Sequence, residues 1–319
     1  MTAWATRSRV LAALTVCLLG AGLCDTAAAQ VSGVSVVRPR IDLTRMTKRT
    51  RVVPVHLMTP AMAENIGPGS HLIIEIPGEG TFGCTANFVW QSGATRYLGA
   101  AGHCFIPAAA TATHGAGADY NASGVRVSVC VSNCSFGGVT GFTLEGDLVR
   151  LGSVAYARQT AVDGDIGNDF GIVVIPASFA SLIRASMPVF GGPTTIEDVQ
   201  QFRPVCHYGN GVLVGETFPT MARVGVGGGS TPTYWVADSL AAPGDSGSAL
   251  VTCVSDGTAF HGRGAAGVIT HLGLEVCPCS IDVENTTVTA QQGFVFGTTI
   301  HRAIAMALEA NIALTLVFP

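Results

Sequence analysis

Charge is scarce in this chain of 319 residues: Asp, Glu, Lys and Arg make up 12%, and 17 basic against 21 acidic side chains leave a net charge of −4. The basic residues concentrate between Arg38 and Arg51. The remainder therefore lacks the cationic face that a nucleic-acid partner requires, and no such partner is expected. Beyond the N-terminal leader there is also no uninterrupted apolar run of about 18 residues, which excludes a bilayer-spanning helix there. No motif repeats along the chain. What is plentiful is glycine, 40 residues, and with so few charges this fits short strands and many turns better than helices.

The leader has Arg7 and Arg9, then an apolar core from Val10 to Gly22, then Thr26-Ala27-Ala28-Ala29. A charged region, a short core and a small-residue site in that order describe a secretory signal, residues 1–29, cleaved after Ala29. Leu23 precedes Cys24 where a lipoprotein signal needs a small residue, so no lipid anchor is expected and the mature chain should not associate with a membrane. Loss of Cys17 and Cys24 reduces the ten cysteines to eight, an even number suited to disulfides in an oxidising compartment, extracellular or periplasmic. A zinc site built from Cys277, Cys279 and His271 is the weaker reading for the same reason. Residues 30–68 are basic and threonine-rich, then carry Pro54, Pro60 and Pro68, and read as a propeptide or N-terminal extension.

From His71 onward, apolar runs rich in β-branched residues alternate with glycine-rich turns. The first set is His71 to Ile76, Asn87 to Trp90, Arg96 to Ala100, Val125 to Val131, Asp147 to Val154 and Phe170 to Ile175. A linker with Pro188 and Gly191-Gly192-Pro193 follows. The second set is Val205 to Tyr208, Val212 to Val214, Thr233 to Ala237, Ala249 to Val254, Ala265 to Thr270 and Gly293 to Phe296. This is the pattern of an all-β chain folded as two barrels. Ile300, Ala303, Ile304, Ala307 and Leu308 then recur at helical spacing, and Ala313 to Phe318 returns to strand character.

Three segments carry chemistry: Leu98-Gly-Ala-Ala-Gly-His-Cys104, Gly167-Asn-Asp-Phe-Gly-Ile-Val-Val-Ile175 and Pro243-Gly-Asp-Ser-Gly-Ser-Ala-Leu250. Each adjoins an apolar run that reads as a buried strand. A serine hydroxyl is a poor nucleophile at neutral pH. It needs an imidazole to take its proton and a carboxylate to orient that imidazole. The candidates are His103, Asp169 and Ser246, with Asp147 the competing carboxylate, because Gly146-Asp147-Leu148 also reads as turn, acid, strand. Asp163 and Asp165 belong to a glycine-rich loop and read as solvated. His56, His71, His114, His207, His261 and His301 have no such neighbours and read as structural.

His-Cys, Asn-Asp before an apolar strand, and Gly-Asp-Ser-Gly, in this order, resemble the marks of the trypsin-like (chymotrypsin-fold) serine endopeptidases, especially their bacterial secreted branch. The resemblance runs from about Gly69 to the C-terminus. It implies two six-stranded antiparallel β-barrels, about 69–187 and 194–298, and a C-terminal helix over about 299–310. It also implies peptide-bond hydrolysis through an acyl-enzyme, protein or peptide substrates, no cofactor or metal, and a monomer.

The resemblance assigns an oxyanion hole to the amides of Gly244 and Ser246, and disulfides to Cys84 with Cys104 and Cys206 with Cys253. Cys130 and Cys134 are close enough to bond locally or could cross to Cys277 and Cys279. Asp245 matches the residue that often pairs with a new N-terminus. The chain lacks the Ile-Val-Gly-Gly start of the animal enzymes, and Arg51-Val52-Val53 is the nearest equivalent junction. The primary pocket is assigned to Ser239, Leu240 and Ala241 facing Gly267 to Leu272. Leu240 stands where Arg/Lys-specific members carry an acid, so an apolar or small side chain is the expected preference. Thr270 and His271 offer a second possibility, an acidic side chain, because glutamate-specific relatives place a histidine on this strand.

Two other functions compete. A catalytically inactive homologue serving as a secreted binding protein would be expected to lose one of the three residues, and all are present. An α/β-hydrolase would need Gly-x-Ser-x-Gly on a strand-to-helix turn, whereas Ser248 breaks that motif and strands follow Ser246.

Overall fold

The structure, a computed structural model, describes residues 63–107, 113–116, 124–137, 143–159, 166–211, 221–272, 280–283, 286–289 and 291–319. The leader, residues 30–62, Asp163, Asp165, Val212 to Val214, Cys277 and Cys279 lie outside them.

Strands dominate. The first half contributes β1 (His71–Ile76), β2 (Gly80–Thr85), β3 (Val89–Ser92), β4 (Thr95–Ala100), β5 (Thr113–Ala116), β6 (Arg126–Gly137), β7 (Thr143–Arg150), β8 (Val154–Gln159) and β9 (Asp169–Ile175). The second contributes β10 (Thr195–Ile196), β11 (Pro204–Tyr208), β12 (Ala222–Ser230), β13 (Tyr234–Ala241), β14 (Ala249–Ser255), β15 (Phe260–Leu272), β16 (Ser280–Val283), β17 (Thr286–Thr289) and β18 (Gln291–Thr299). Helix α1 (Ile300–Glu309) and β19 (Thr315–Leu316) close the chain.

In the second half the hydrogen-bonded order β15-β14-β11-β12-β13-β18 returns to β15, a closed antiparallel ring of six strands, with β10 lying parallel to β15 beside it. Closure removes the free edges that an open sheet would present. The first half shows no such single ring among its described residues. Among its described residues it forms two sheets, β2-β1-β6-β7 and β19-β3-β4-β9-β8-β5, which share a core rather than a continuous ladder. Leu72 and Ile74 of β1 and Val127 and Val129 of β6 pack in that core with Leu98 of β4 and Val173 of β9.

A further core spans both halves, combining Trp90, Tyr156 and Phe170 with Tyr208, Val251, Val268 and Met306. Within it Trp90 meets Phe170 edge-on at 5.4 Å. Helix α1 buries Ile300, Ala303, Met306 and Ala307, and the Thr299 side chain caps it by accepting the Arg302 amide at 3.1 Å. Such a cap contributes on the order of 1 kcal/mol. After the helix, β19 pairs with β3, so the C-terminus is hydrogen-bonded to the first half. Among the described residues no helix is long and apolar enough to cross a membrane.

Candidate active site

The His103 and Asp169 segments meet because β4 and β9 are antiparallel neighbours, with Ala100 opposite Gly171. Where β4 ends, one 3₁₀ turn, Gly102–Cys104, carries His103 back over the start of β9. The approach is close enough to require glycine at 102: a Cβ there would lie 2.0 Å from the Arg158 carbonyl oxygen. His103 Nδ1 is 2.6 Å from Asp169 Oδ2, and the His103 amide donates to Asp169 Oδ1 at 2.9 Å. Both carboxylate oxygens are thus engaged by one residue, and both residues are buried.

Burial by itself would raise the Asp169 pKa. The charge and hydrogen bond of the His103 ring, the charge of His271 and the His103 amide outweigh it and hold the carboxyl below its ordinary value. Asp147 lies in another sheet, where its carboxylate accepts Ser132 Oγ at 2.7 Å and Asn133 Nδ2 at 3.2 Å.

Ser246 sits in the turn between β13 and β14 and is 9% exposed. Its carbonyl accepts the Thr85 amide at 2.9 Å and lies 3.8 Å from Cys104 Sγ. The next residue, Gly247, has φ +92°, and a Cβ on it would fall 2.3 Å from the Thr85 carbonyl oxygen and 3.0 Å from the Ala101 nitrogen. The serine turn therefore rests against the segment that leads into His103. Gly244 also has positive φ, +102°. Among the described residues the Gly244 and Ser246 amides donate to no other group, while Asp245 N bonds Ala242 O and Gly247 N bonds Ile269 O.

Asp245 is fully buried and forms an ion pair with Arg223, whose side chain is 3% exposed. Its carboxylate also accepts the Gly211 and Ala242 amides, each at 2.8 Å. The position considered for a new N-terminus is thus filled by an internal arginine. Replacing Arg223 by methionine should leave an uncompensated buried carboxylate and destabilise the fold by about 3–5 kcal/mol in urea unfolding.

Among the described residues there are three disulfides: Cys84–Cys104, Cys206–Cys253 and Cys130–Cys134. The first joins β2 to the His103 turn; the second joins β11 to β14, the strand that follows the serine turn.

A pocket beside Ser246 is lined by Ala242, Pro243, Ile269, Thr270, His271 and Leu272. Thr270 Oγ1 and His271 Nδ1 are 2.7 Å apart and both residues are buried. Leu240 is not part of this lining. Strand β13 continues through Ala241 hydrogen-bonded to β18, with Leu240 opposite Gln292, so residues 239–241 do not face β15 through a shared ladder. The Leu240 carbonyl instead accepts His207 Nε2 at 2.9 Å.

Sequence reasoning missed Arg223, Thr85 and Thr298. For Arg223 a signal exists: it occupies the inward parity of β12 together with Gly225 and Gly227, while Val224 and Val226 point out. A charge on the inner face of an alternating strand calls for a buried partner. No comparable signal marks the two threonines.

Burial lowers the pKa of His71 to about 3. Burial followed by the Arg223 charge lowers that of His207 to about 4. Both rings are neutral in the folded state and protonate on unfolding near their ordinary value of about 6.5. Folded stability is therefore fully present above pH 6.5 and is lost as pH falls toward about 4. Urea midpoints measured across that window should decline, and His207→Gln should lessen the slope.

No family model matches the chain, and no curated protein matches it. Solved structures do. Thermobifida fusca protease A aligns at 17% identity over 80% of this chain and 99% of its own, with a TM-score of 0.42. Cellulomonas bogoriensis chymotrypsin aligns at 15% identity over 79% and 98%, TM-score 0.40. A glutamic acid specific serine protease described as using a histidine triad in substrate binding aligns at 18% identity over 79% and 99%, TM-score 0.38.

Proposed function

We propose that the chain is a secreted serine endopeptidase that cleaves peptide bonds through Ser246, His103 and Asp169. The observation that carries this reading is the buried His103–Asp169 hydrogen bond at 2.6 Å with the Ser246 turn seated against the same loop. Because His103 Nδ1 donates to a carboxylate, Nε2 is the basic nitrogen of the neutral ring. In the proposed reaction it accepts the Ser246 hydroxyl proton as Oγ bonds to the scissile carbonyl carbon. The Gly244 and Ser246 amides receive the developing oxyanion. His103 returns the proton to the leaving amine, and a water deprotonated by the same nitrogen then releases the acyl group. No cofactor enters these steps.

The reading includes export by the 1–29 leader, removal of the 30–68 extension, one protease domain over 69–319 and a monomer. A fluorophosphonate probe applied to the secreted protein should label Ser246, located by peptide mass, and the labelled protein should lose peptide hydrolysis. Absence of label with peptide hydrolysis also absent would favour the secreted binding protein instead.

Specificity follows from the pocket beside Ser246, which is lined by Ala242, Pro243, Ile269 and Leu272 besides the polar Thr270 and His271. In a peptide library, cleavage after apolar or small residues is the expected outcome. Cleavage after glutamate that falls in His271→Ala would assign the pocket to acidic side chains, and strong cleavage after Arg or Lys would contradict both.

A further inference from the structure

The proposed machinery is divided between the halves: His103 and Asp169 belong to the first, Ser246 and Gly244 to the second. Neither half alone can hold the constellation, so something must fix their relative position to within a fraction of an ångström. Two threonine hydroxyls occupy the places where this could be done.

Thr85, at the end of β2 in the first half, reaches the serine turn of the second. Its hydroxyl donates to the Gly244 carbonyl at 2.8 Å and its amide donates to the Ser246 carbonyl at 2.9 Å. The carbonyls on either side of Asp245 and Ser246 are therefore both held by one residue. The hydroxyl oxygen in turn accepts the Asn210 amide at 2.9 Å and Asn210 Nδ2 at 3.2 Å. Thr298, on β18 in the second half, does the converse. Its hydroxyl donates to the Asp169 carbonyl at 2.9 Å and accepts the Asp169 amide at 3.2 Å, so both main-chain groups of the acid residue close on one oxygen. Both threonines are fully buried, where an unmade hydrogen bond leaves a donor or acceptor without water.

We infer that Thr85 and Thr298 form a reciprocal clamp across the two halves, Thr85 positioning the Gly244–Ser246 turn and Thr298 positioning Asp169. This inference rests on the catalytic reading above and assigns neither threonine a chemical step. Thr85 sets the orientation of the turn that presents the Gly244 and Ser246 amides. Thr298 sets the height of Asp169 and, through it, the direction in which His103 Nε2 points.

Thr85→Val and Thr298→Val keep the shape and remove only the hydroxyl. Each is expected to lower kcat about 10- to 100-fold, the loss that a misplacement of roughly 1 Å produces, with KM within about twofold. Thr85→Ser and Thr298→Ser, which restore the hydroxyl, should recover most of the loss.

A peptide boronic acid, which forms a tetrahedral adduct on serine, should bind Thr85→Val more weakly by the same factor as kcat/KM falls. The downfield Nδ1 proton of His103 in NMR should exchange faster in Thr298→Val. Folded valine variants with wild-type kcat, or a kcat loss that serine does not rescue, would overturn the clamp. Failure of the catalytic reading is seen separately, as absence of fluorophosphonate label in the wild type. The clamp is then still read without turnover, from faster amide exchange across residues 244–248 in Thr85→Val and from the His103 proton in Thr298→Val, and unchanged exchange in both would refute it.

Discussion

Ser246→Ala is expected to lower peptide hydrolysis by on the order of 10⁶-fold, the scale on which loss of the nucleophile disables a triad that acts as a unit. The fold should survive. Ser246 is tied into the structure through its main chain, with its carbonyl accepting the Thr85 amide at 2.9 Å, and alanine preserves that bond. The neighbouring positive-φ glycines, 244 and 247, are unaffected. Urea unfolding of the variant should agree with wild type to within about 0.5 kcal/mol, and the variant should take up no fluorophosphonate. Turnover above about 1% of wild type in a folded Ser246→Ala protein would remove this residue from the mechanism.

Asp169→Asn should cost about 10⁴-fold in kcat, the effect of giving the histidine the wrong tautomer. Both Asp169 oxygens accept from His103, one from the ring and one from the amide. An asparagine can offer an acceptor to only one of them and must present an NH₂ to the other. If the carbonyl oxygen stays with the His103 amide, the NH₂ faces Nδ1, which must then become the acceptor. The proton moves to Nε2, where the base is needed. Asp147→Asn supplies the control. Its carboxylate serves Ser132 and Asn133 in a different sheet, so its kcat should stay within about twofold of wild type, an effect typical of a substitution outside such a network. Steady-state kinetics on the two purified variants decides between them, and the reverse order would move the acid to Asp147.

The segments legible in the sequence are those with short, nearly continuous apolar runs. His71–Ile76 and Ala249–Ser255 are recognisable because consecutive residues on both faces are buried, so the run is apolar along most of its length. Among the described strands, β2, β5, β10, β12, β16 and β17 escaped. β2 reads Gly-Thr-Phe-Gly-Cys-Thr and β12 reads Ala-Arg-Val-Gly-Val-Gly-Gly-Gly-Ser, and glycine in such numbers signals turns. In β12 the glycines answer crowding that no local pattern reports. A Cβ at Gly225 would meet the Asp238 carbonyl oxygen at 2.4 Å, and one at Gly227 the Gln200 carbonyl oxygen at 2.3 Å. The stretch Asp147 to Val154, which reads as one strand, is divided at Leu151–Ser153 into β7 and β8, which belong to different sheets. Its apolar residues serve two sheets in succession, and hydrophobicity alone does not mark the break.

By itself the sequence determined the strand-rich class and the three chemical segments, because apolar runs, glycine-rich turns and short motifs are local properties written in consecutive residues. It also limited the candidate acids to two. Only the tertiary structure decided which of them faces His103, because that depends on β4 and β9 being antiparallel neighbours while β7 lies in another sheet. The same holds for the partner of Asp245, since Arg223 is 22 positions away in the chain. It holds for the threonines that join the halves, whose contacts span 159 and 129 positions. A hydrogen bond between residues so far apart is set by how the sheets close and pack, and a single chain read in order carries no record of that distance.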